Sequence, residues 1–336
     1  MTNLRIAVVG YGYWGPNIVR NFSVTNGAKV VAVCDANPAV LSQIKKEHPQ
    51  VEVFKDYRNV TRSKNIDAVA VVVPVSMHFE IAKAALLNGK HVFVEKPFTS
   101  SVVQAEELIA LAERRKLKIM VDHTFLFTGA VRKIKELMDA NVLGKLYYFD
   151  STRINLGLFQ SDINVIWDLA PHDLSIMDYL IKEKPVAVAA TGTAHFKKII
   201  EDVAYITVYF SSGLIAHFNI NWLSPVKIRL TLLSGKKKML VWDDLEQDEK
   251  VKVYDRGVKV INKRGLYNLI TGYRSGDIWS PRIGQSEALK VEAQYFVDCI
   301  LKNKRPINDG QSGLRVMKIL EAANKSLQKN GAMVYL

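Results

Sequence analysis

The sequence predicts an α/β chain. Its N-terminal part should form a doubly wound parallel sheet, and its C-terminal part an α+β domain with an open, mostly antiparallel sheet. Three observations predict this. Over roughly the first 120 residues, short runs rich in Val, Ile and Ala alternate with amphipathic stretches; such runs lack polar alternation, as strands buried on both faces do. Beyond residue 122 the apolar runs alternate with period two and are separated by short polar turns, the pattern of antiparallel strands. The chain has 336 residues, more than one hydrophobic core usually serves, so two domains are expected.

The N-terminal strands are placed at 4–10, 28–35, 51–54, 66–73, 91–94 and 118–122. Asn37 and Pro38 supply a cap and a first-turn proline for the helix after the second strand. Phe79, Ile81, Ala82, Ala85 and Leu86 give residues 78–88 an apolar face that Gly89 terminates. Ser101 to Gln104 reads as a capping box for a helix ending near Arg115. Beyond it, helices are expected at 130–140 and 172–181, and strands at 203–210, 214–222, 227–234, 239–243 and 250–254. Ser211-Ser212-Gly213 and Lys236-Lys237-Lys238 fall at turns, and 286–301 and 312–328 are helical. The domains are assigned as 1–122 and 123–336, with the C-terminal helices free to pack back on the first.

Composition narrows the function classes. Hydrophobic residues make up 49% and charged residues 24%, ordinary for a globular protein. No run of eighteen apolar residues offers a membrane span. The N-terminus enters a strand without the pattern of a signal peptide, so a cytoplasmic protein with no membrane partner is expected. Cys34 and Cys299 read as small buried hydrophobes. Neither they nor the seven histidines show metal-ligand spacing, so no metal is expected. Net charge is +13, but the lysines are dispersed and no nucleic-acid-binding motif accompanies them. A solvated basic surface, or attraction of an anionic small substrate, explains it instead.

Gly10-Tyr11-Gly12-Tyr13-Trp14-Gly15 is a G-x-G-x-x-G segment that follows a strand and opens a helix. Gly10 permits the tight turn, Gly12 lets a pyrophosphate approach the backbone, and Gly15 lets helix and strand pack closely. The helix N-terminus then holds the phosphate charge. Asp35 ends the second strand, twenty residues after Gly15. A carboxylate there binds ribose hydroxyls and repels a 2′-phosphate, so NAD is expected over NADP. Pro74 and His78, at the carboxyl edge of the same sheet, are further cofactor candidates; His78 equally begins a helix.

Glu95-Lys96-Pro97 follows the fifth strand at that same edge. A lysine there donates to a substrate hydroxyl and favours its alkoxide; by spacing alone, a solvated lysine fits as well. Asp168 and His172 lie four apart, at or near a helix start. On one helical face, the carboxylate can fix the imidazole tautomer for general-base work. A capping Asp beside an incidental His fits the same spacing.

The segments Gly10 to Gly15, Pro74 to His78, Glu95-Lys96-Pro97 and the Asp168/His172 pair together resemble the Gfo/Idh/MocA family over essentially the whole length. That resemblance implies NAD(P)-linked oxidation or reduction of a sugar or polyol carbon. Lys96 would bind the reacting hydroxyl, His172 would shuttle its proton and Asp168 would support His172. Glu95 and Lys96 also join the implied cofactor contacts. Segments 12–17, 122–127 and 167–173 are similar to the sugar-nucleotide 3-dehydrogenase and ketoreductase branches, although 125–127 is apolar where some relatives carry a basic residue. The expected reaction is thus oxidation of a secondary hydroxyl, at C3 of a nucleotide-linked sugar such as a UDP-N-acetylhexosaminuronate, or the reverse. An inositol- or glucose-type polyol dehydrogenase and a non-catalytic sugar or dinucleotide sensor are the alternatives. His123, Arg153, Asn155, Trp167 and the loop 272–282, with Tyr273, Arg274 and Arg282, are the candidate substrate contacts; that loop is as readily an ordinary surface loop. A homodimer or homotetramer is expected.

Overall fold

The structure, a computed structural model, describes residues 3–157, 159–160, 163–196, 200–262 and 269–336. The chain divides into two compact units, Met1–Phe127 with Ser286–Lys318 and Thr128–Gln285 with Ile319–Leu336.

The first unit alternates β1 (Leu4–Val9), α1 (Gly15–Ser23), β2 (Ala28–Cys34), α2 (Pro38–Glu47), β3 (Glu52–Phe54), α3 (Tyr57–Arg62), β4 (Ala68–Val71), α4 (His78–Leu87), β5 (His91–Val94), α5 (Val102–Arg115) and β6 (Ile119–Val121). All strand pairs are parallel, in the order β3-β2-β1-β4-β5-β6. The order reverses between β1 and β4, which opens a crevice at the carboxyl ends of those strands. Ile6, Val8, Val33, Val69, Val71 and Val92 are fully buried, as expected of strands covered on both faces. Side-chain caps set the helix starts: the side chain of Asn37 accepts from the Ala39 N–H, that of Asp56 from Arg58 and that of Ser101 from Gln104.

The second unit contains α6 (Gly129–Asp139), β7 (Leu146–Leu156), α7 (Val165–Leu180), β8 (Pro185–Thr193), β9 (Val203–Phe210), β10 (Ile215–Asn221), β11 (Leu223–Gly235), β12 (Met239–Asp243), β13 (Val251–Asn262) and β14 (Leu269–Trp279). The strands form one sheet in the order β14-β13-β12-β11-β7-β10-β9-β8-β15, where β15 is Val334–Tyr335. Its pairs are antiparallel except β10 with β7. Along β9, alternate residues Ala204, Ile206 and Val208 are buried. Arg153 of β7 is held by Asp173 of α7, so Arg153 marks the helix-covered face of the sheet. Lys236 to Lys238 do turn between β11 and β12.

Near the C-terminus, α8 (Ala288–Leu301) and the first part of α9 (Gly310–Leu327) belong to the first unit. Phe22 of α1, Phe93 of β5 and Phe296 of α8 form a knot of edge-to-face rings with centroids 5.5 to 6.0 Å apart. Glu287, just before α8, accepts from Arg20 and Asn21 of α1. Both cysteines are free and buried. Among the described residues no helix is long and apolar enough to cross a membrane.

Candidate active site

The segment from Gly10 to Gly15 joins β1 to α1. Gly10 has φ +100°, and a Cβ there would lie 2.0 Å from the Val72 carbonyl oxygen, so only glycine fits. A Cβ on Gly15 would lie 2.6 Å from the Gly10 oxygen. At Gly12 a Cβ would meet nothing within 4 Å, so the backbone there faces open space. The N-cap of α1 is Trp14, which makes no side-chain cap. An open backbone approach beside an uncapped helix start suits a pyrophosphate.

Side chains brace this loop. Tyr11 is buried, and its hydroxyl donates to Glu47 Oε2 at 3.0 Å at the end of α2. Burial, then the Glu47 carboxylate, push the Tyr11 phenol up to about 12. Asp35 Oδ2 accepts from the Tyr11 N–H at 2.9 Å and Oδ1 from the Asn37 N–H at 2.8 Å. These two bonds aim the carboxylate and leave lone pairs for ribose hydroxyls. Tyr13 and Trp14 are exposed, with their rings edge to face. An NAD pyrophosphate and adenosine ribose therefore fit the residues present.

At the carboxyl ends of β4 and β5, Pro74 precedes a short 3-10 turn and His78 opens α4. The sequence offered His78 as a cofactor contact, but its side chain is buried. Its Nδ1 lies 2.9 Å from the Pro97 oxygen and its Nε2 2.8 Å from the Val73 oxygen. It ties the two loops together. Burial lowers its pKa most, and the backbone carbonyls that it faces oppose that shift. Glu95 is buried, and its Oε2 accepts from the backbone N–H of Lys96 at 3.0 Å. His123, a candidate substrate contact, is also buried, and neither ring nitrogen has a hydrogen-bond partner among the described residues. Burial, then the charge of Lys96, lower its pKa to about 3.

In the second unit, α7 starts at Val165, capped by Asn164, whose Oδ1 accepts from the Trp167 N–H at 3.2 Å. The helix thus begins seven residues before the expected His172. Asp168 stands in its first turn and His172 one turn later. That spacing sets both side chains on one face. The indole Nε1 of Trp222, beside the end of β10, donates to Asp168 Oδ2 at 3.1 Å and fixes that carboxylate. Pro171 lies inside the helix and leaves one carbonyl of the preceding turn without its usual N–H donor.

Three substrate candidates need correction. Arg153 is buried, and its Nε and Nη2 donate to both oxygens of Asp173 at 2.7 and 2.9 Å. It braces β7 against α7. Residues 272–279 are strand, not loop: β14 runs to Trp279 at the sheet edge, and only 280–282 of the expected loop lie outside it. On β14, Arg274 is bound by Asp255 at 2.9 Å and by the backbone oxygens of Lys237 and Arg256. The third, Trp167, is largely buried in α7. Asn155 is half-buried beside Gly157, while Tyr273 and Arg282 are exposed. Sequence reasoning did not single out Trp222 or Glu292, which no motif marks, and it named Asp122 only as the start of segment 122–127.

A model of the oxidoreductase family with an NAD-binding Rossmann fold matches residues 4–123, and a model of the GFO/IDH/MocA C-terminal domain matches 131–241. The chain is 25% identical over 328 residues to the UDP-N-acetylglucosamine 3-dehydrogenase of Acidithiobacillus ferrooxidans, covering 94% of this chain and 95% of that protein. A solved structure of that enzyme has a TM-score of 0.83 at 24% identity, over 98% of this chain and 99% of the other. The scyllo-inositol 2-dehydrogenase (NAD(+)) of Bacillus subtilis is also 25% identical, over 348 residues, 99% of this chain and 96% of that protein. A scyllo-inositol dehydrogenase from Lactobacillus casei, solved with NAD(H) and scyllo-inositol, has a TM-score of 0.80 at 23% identity over 99% of each chain. Matched in order by the models of its two domains, the chain belongs to the Gfo/Idh/MocA family of NAD-binding oxidoreductases.

Proposed function

We propose that this protein oxidises a secondary hydroxyl, at C3 of a nucleotide-linked sugar such as a UDP-N-acetylhexosaminuronate, with NAD as oxidant, or runs the reverse ketone reduction. The observation that carries the chemistry is the Asp168/His172 pair, one turn apart on α7 with Asp168 anchored by Trp222. NAD, when bound, supplies the hydride acceptor. Gly10 to Gly15 and the first turn of α1 would hold its pyrophosphate, and Asp35 its adenosine ribose. Lys96 binds the reacting hydroxyl and stabilises negative charge as it develops on that oxygen. His172 takes the hydroxyl proton, and Asp168 orients the imidazole for it. Similarity to the UDP-N-acetylglucosamine 3-dehydrogenase across almost the entire chain supports the sugar class.

One observation favours a second substrate class. With Arg153 committed to Asp173, the helix-covered face of the sheet loses one cation that a diphosphate would use. A free polyol needs no such cation, and the scyllo-inositol 2-dehydrogenase of Bacillus subtilis shows the same 25% identity.

Replacing His172 with Asn removes the proton acceptor but keeps a polar group. It should lower kcat by about 10²–10⁴, the usual scale of general acid–base catalysis, with NAD affinity little changed. Lys96→Met should also impair turnover. Near-normal turnover in both variants, with NAD binding followed separately by fluorescence, would sink the mechanism.

A further inference from the structure

Within the second unit, a row of aromatic rings runs outward from the indole that holds Asp168. Phe159 lies between β7 and α7, and Phe196 lies in the loop between β8 and β9. Phe159 meets the Trp222 ring with centroids 5.4 Å apart, and Phe196 meets Phe159 edge to face at 5.2 Å. Exposure rises along the row, from 1% at Trp222 to 40% at Phe159 and 70% at Phe196. Trp222 also gathers the segments that carry the other two rings. Its backbone oxygen accepts from the Gly157 N–H at 3.1 Å, two residues before Phe159. Its backbone N–H donates to the Asp202 oxygen at 2.9 Å, at the far end of the Phe196 loop. Its indole donates to Asp168 Oδ2.

The Phe196 loop is held from inside by the carboxylate of Asp202, a buried residue. Its Oδ2 accepts from the backbone N–H of His195 at 2.8 Å and from that of Phe196 at 3.3 Å. Its Oδ1 lies 2.7 Å from His195 Nδ1. Burial works against this carboxylate, but the bonds from His195 and Phe196 outweigh it and keep its pKa below the usual carboxylate range. A carboxylate only accepts, so the proton of the ring bond sits on Nδ1, and in the neutral imidazole Nε2 is an acceptor. The His195 side chain is half-exposed, and its Nε2 has no hydrogen-bond partner among the described residues. Single exposed apolar side chains need no explanation. Here two rings in contact and an imidazole are fixed in advance, which removes the ordering cost that a loose loop adds to binding.

We propose that Phe159, Phe196 and His195 form a nucleobase subsite for the substrate: the rings stack on a planar base, and His195 Nε2 accepts from the ring imide N–H that uracil and thymine carry and cytosine lacks. The proposal rests on the reading of the substrate as a nucleotide-linked sugar. Stacking on an aromatic ring tolerates any base, so the rings supply affinity and the imidazole supplies the choice of base. The ring contacts through Trp222 set the subsite a few side chains from Asp168, which leaves room between them for the sugar and diphosphate of such a substrate. Recognition of the base in this way leans on neither Arg153 nor Arg274, both of which are bound within the fold.

The test is calorimetric titration of the NAD-loaded, full-length protein with UDP and with CDP. Wild type should bind UDP about tenfold more tightly than CDP, the scale of one hydrogen bond lost with its acceptor left unpaired. Phe196→Ala should weaken both nucleotides by about tenfold, within the range of base–aromatic stacking. Phe196→Tyr keeps the ring and should stay near wild type. His195→Ala should bind UDP no better than CDP. NAD affinity, which belongs to the first unit, should not move in these variants and reports that they are folded. Unchanged UDP affinity in folded Phe196→Ala overturns the proposal, as does a wild type that binds CDP as tightly as UDP. If Phe196→Ala lowers the sedimentation coefficient and leaves UDP binding intact, a second copy of the chain covers the rings and the proposal falls. A wild type that binds neither nucleotide overturns the nucleotide-linked reading, and the subsite with it. Failure of the subsite alone shows as UDP binding that no variant alters.

Discussion

At the scale of single residues, the proposed use of NAD rests on Asp35. Its carboxylate is aimed by two backbone N–H groups, and Ala36, the next residue, brings no cation to meet a 2′-phosphate. Asp35→Ser with Ala36→Arg removes the repulsion and adds a partner. The ratio of kcat/KM for NAD to that for NADP should fall; a wild type that already prefers NADP would show the account of Asp35 to be wrong. At this scale the candidate residues were marked in the sequence by a motif whose spacing reports backbone need, as at Gly10, or by a strand end, as at Lys96. Arg153 was misread. A lone arginine in a sequence carries no sign of a buried partner, and Asp173 lies twenty residues away on another element.

At the scale of elements, β7 and α7 are locked by that Arg153–Asp173 pair, with side chains 5% and 4% exposed. Arg153→Leu strands a buried carboxylate, so unfolding free energy should drop by about 3–5 kcal/mol. Urea denaturation measures it, and a drop under 1 kcal/mol would contradict the role given to the pair. The β7 strand was not legible because its inward set of Phe149, Ser151 and Arg153 reads as polar. Small residues with Pro185 and Gly192 likewise hid β8. The parallel strands, uniformly apolar, were found to within a few residues.

The α8 helix carries a further expectation. The folded-state pKa values of Glu95 and Glu292 are raised. Their contribution to stability is therefore fully present below the unfolded value of about 4.3 and is lost as pH rises through the folded values. His78 and His123, lowered in the folded state, act in the opposite direction at acid pH. Both proteins carry the same histidines, so the comparison of wild type with Glu292→Gln runs from about pH 4.3 upward. There wild type should lose stability relative to Glu292→Gln, by at most about 1.4 kcal/mol per pH unit for one proton. Parallel stability curves for the two proteins would show that Glu292 is already ionised.

At the scale of the whole molecule, the residues given roles in the proposed function divide between the two units. The first carries the dinucleotide loop and Lys96, and the second carries Asp168 and His172. Fold class was legible because the period of the apolar pattern changes from continuous runs to strict alternation near residue 122. The substrate was less legible, because the cations expected to read a diphosphate are spent inside the fold, as at Arg153, or pinned at a sheet edge, as at Arg274. The central claim is tested most directly by following nicotinamide absorbance while the wild-type protein is offered NAD with a UDP-N-acetylhexosaminuronate, its UDP-N-acetylhexosamine, and free inositol and glucose. The account predicts NADH formation with a UDP-linked sugar and inhibition by UDP at micromolar levels. Turnover of a free polyol that UDP does not inhibit would contradict it.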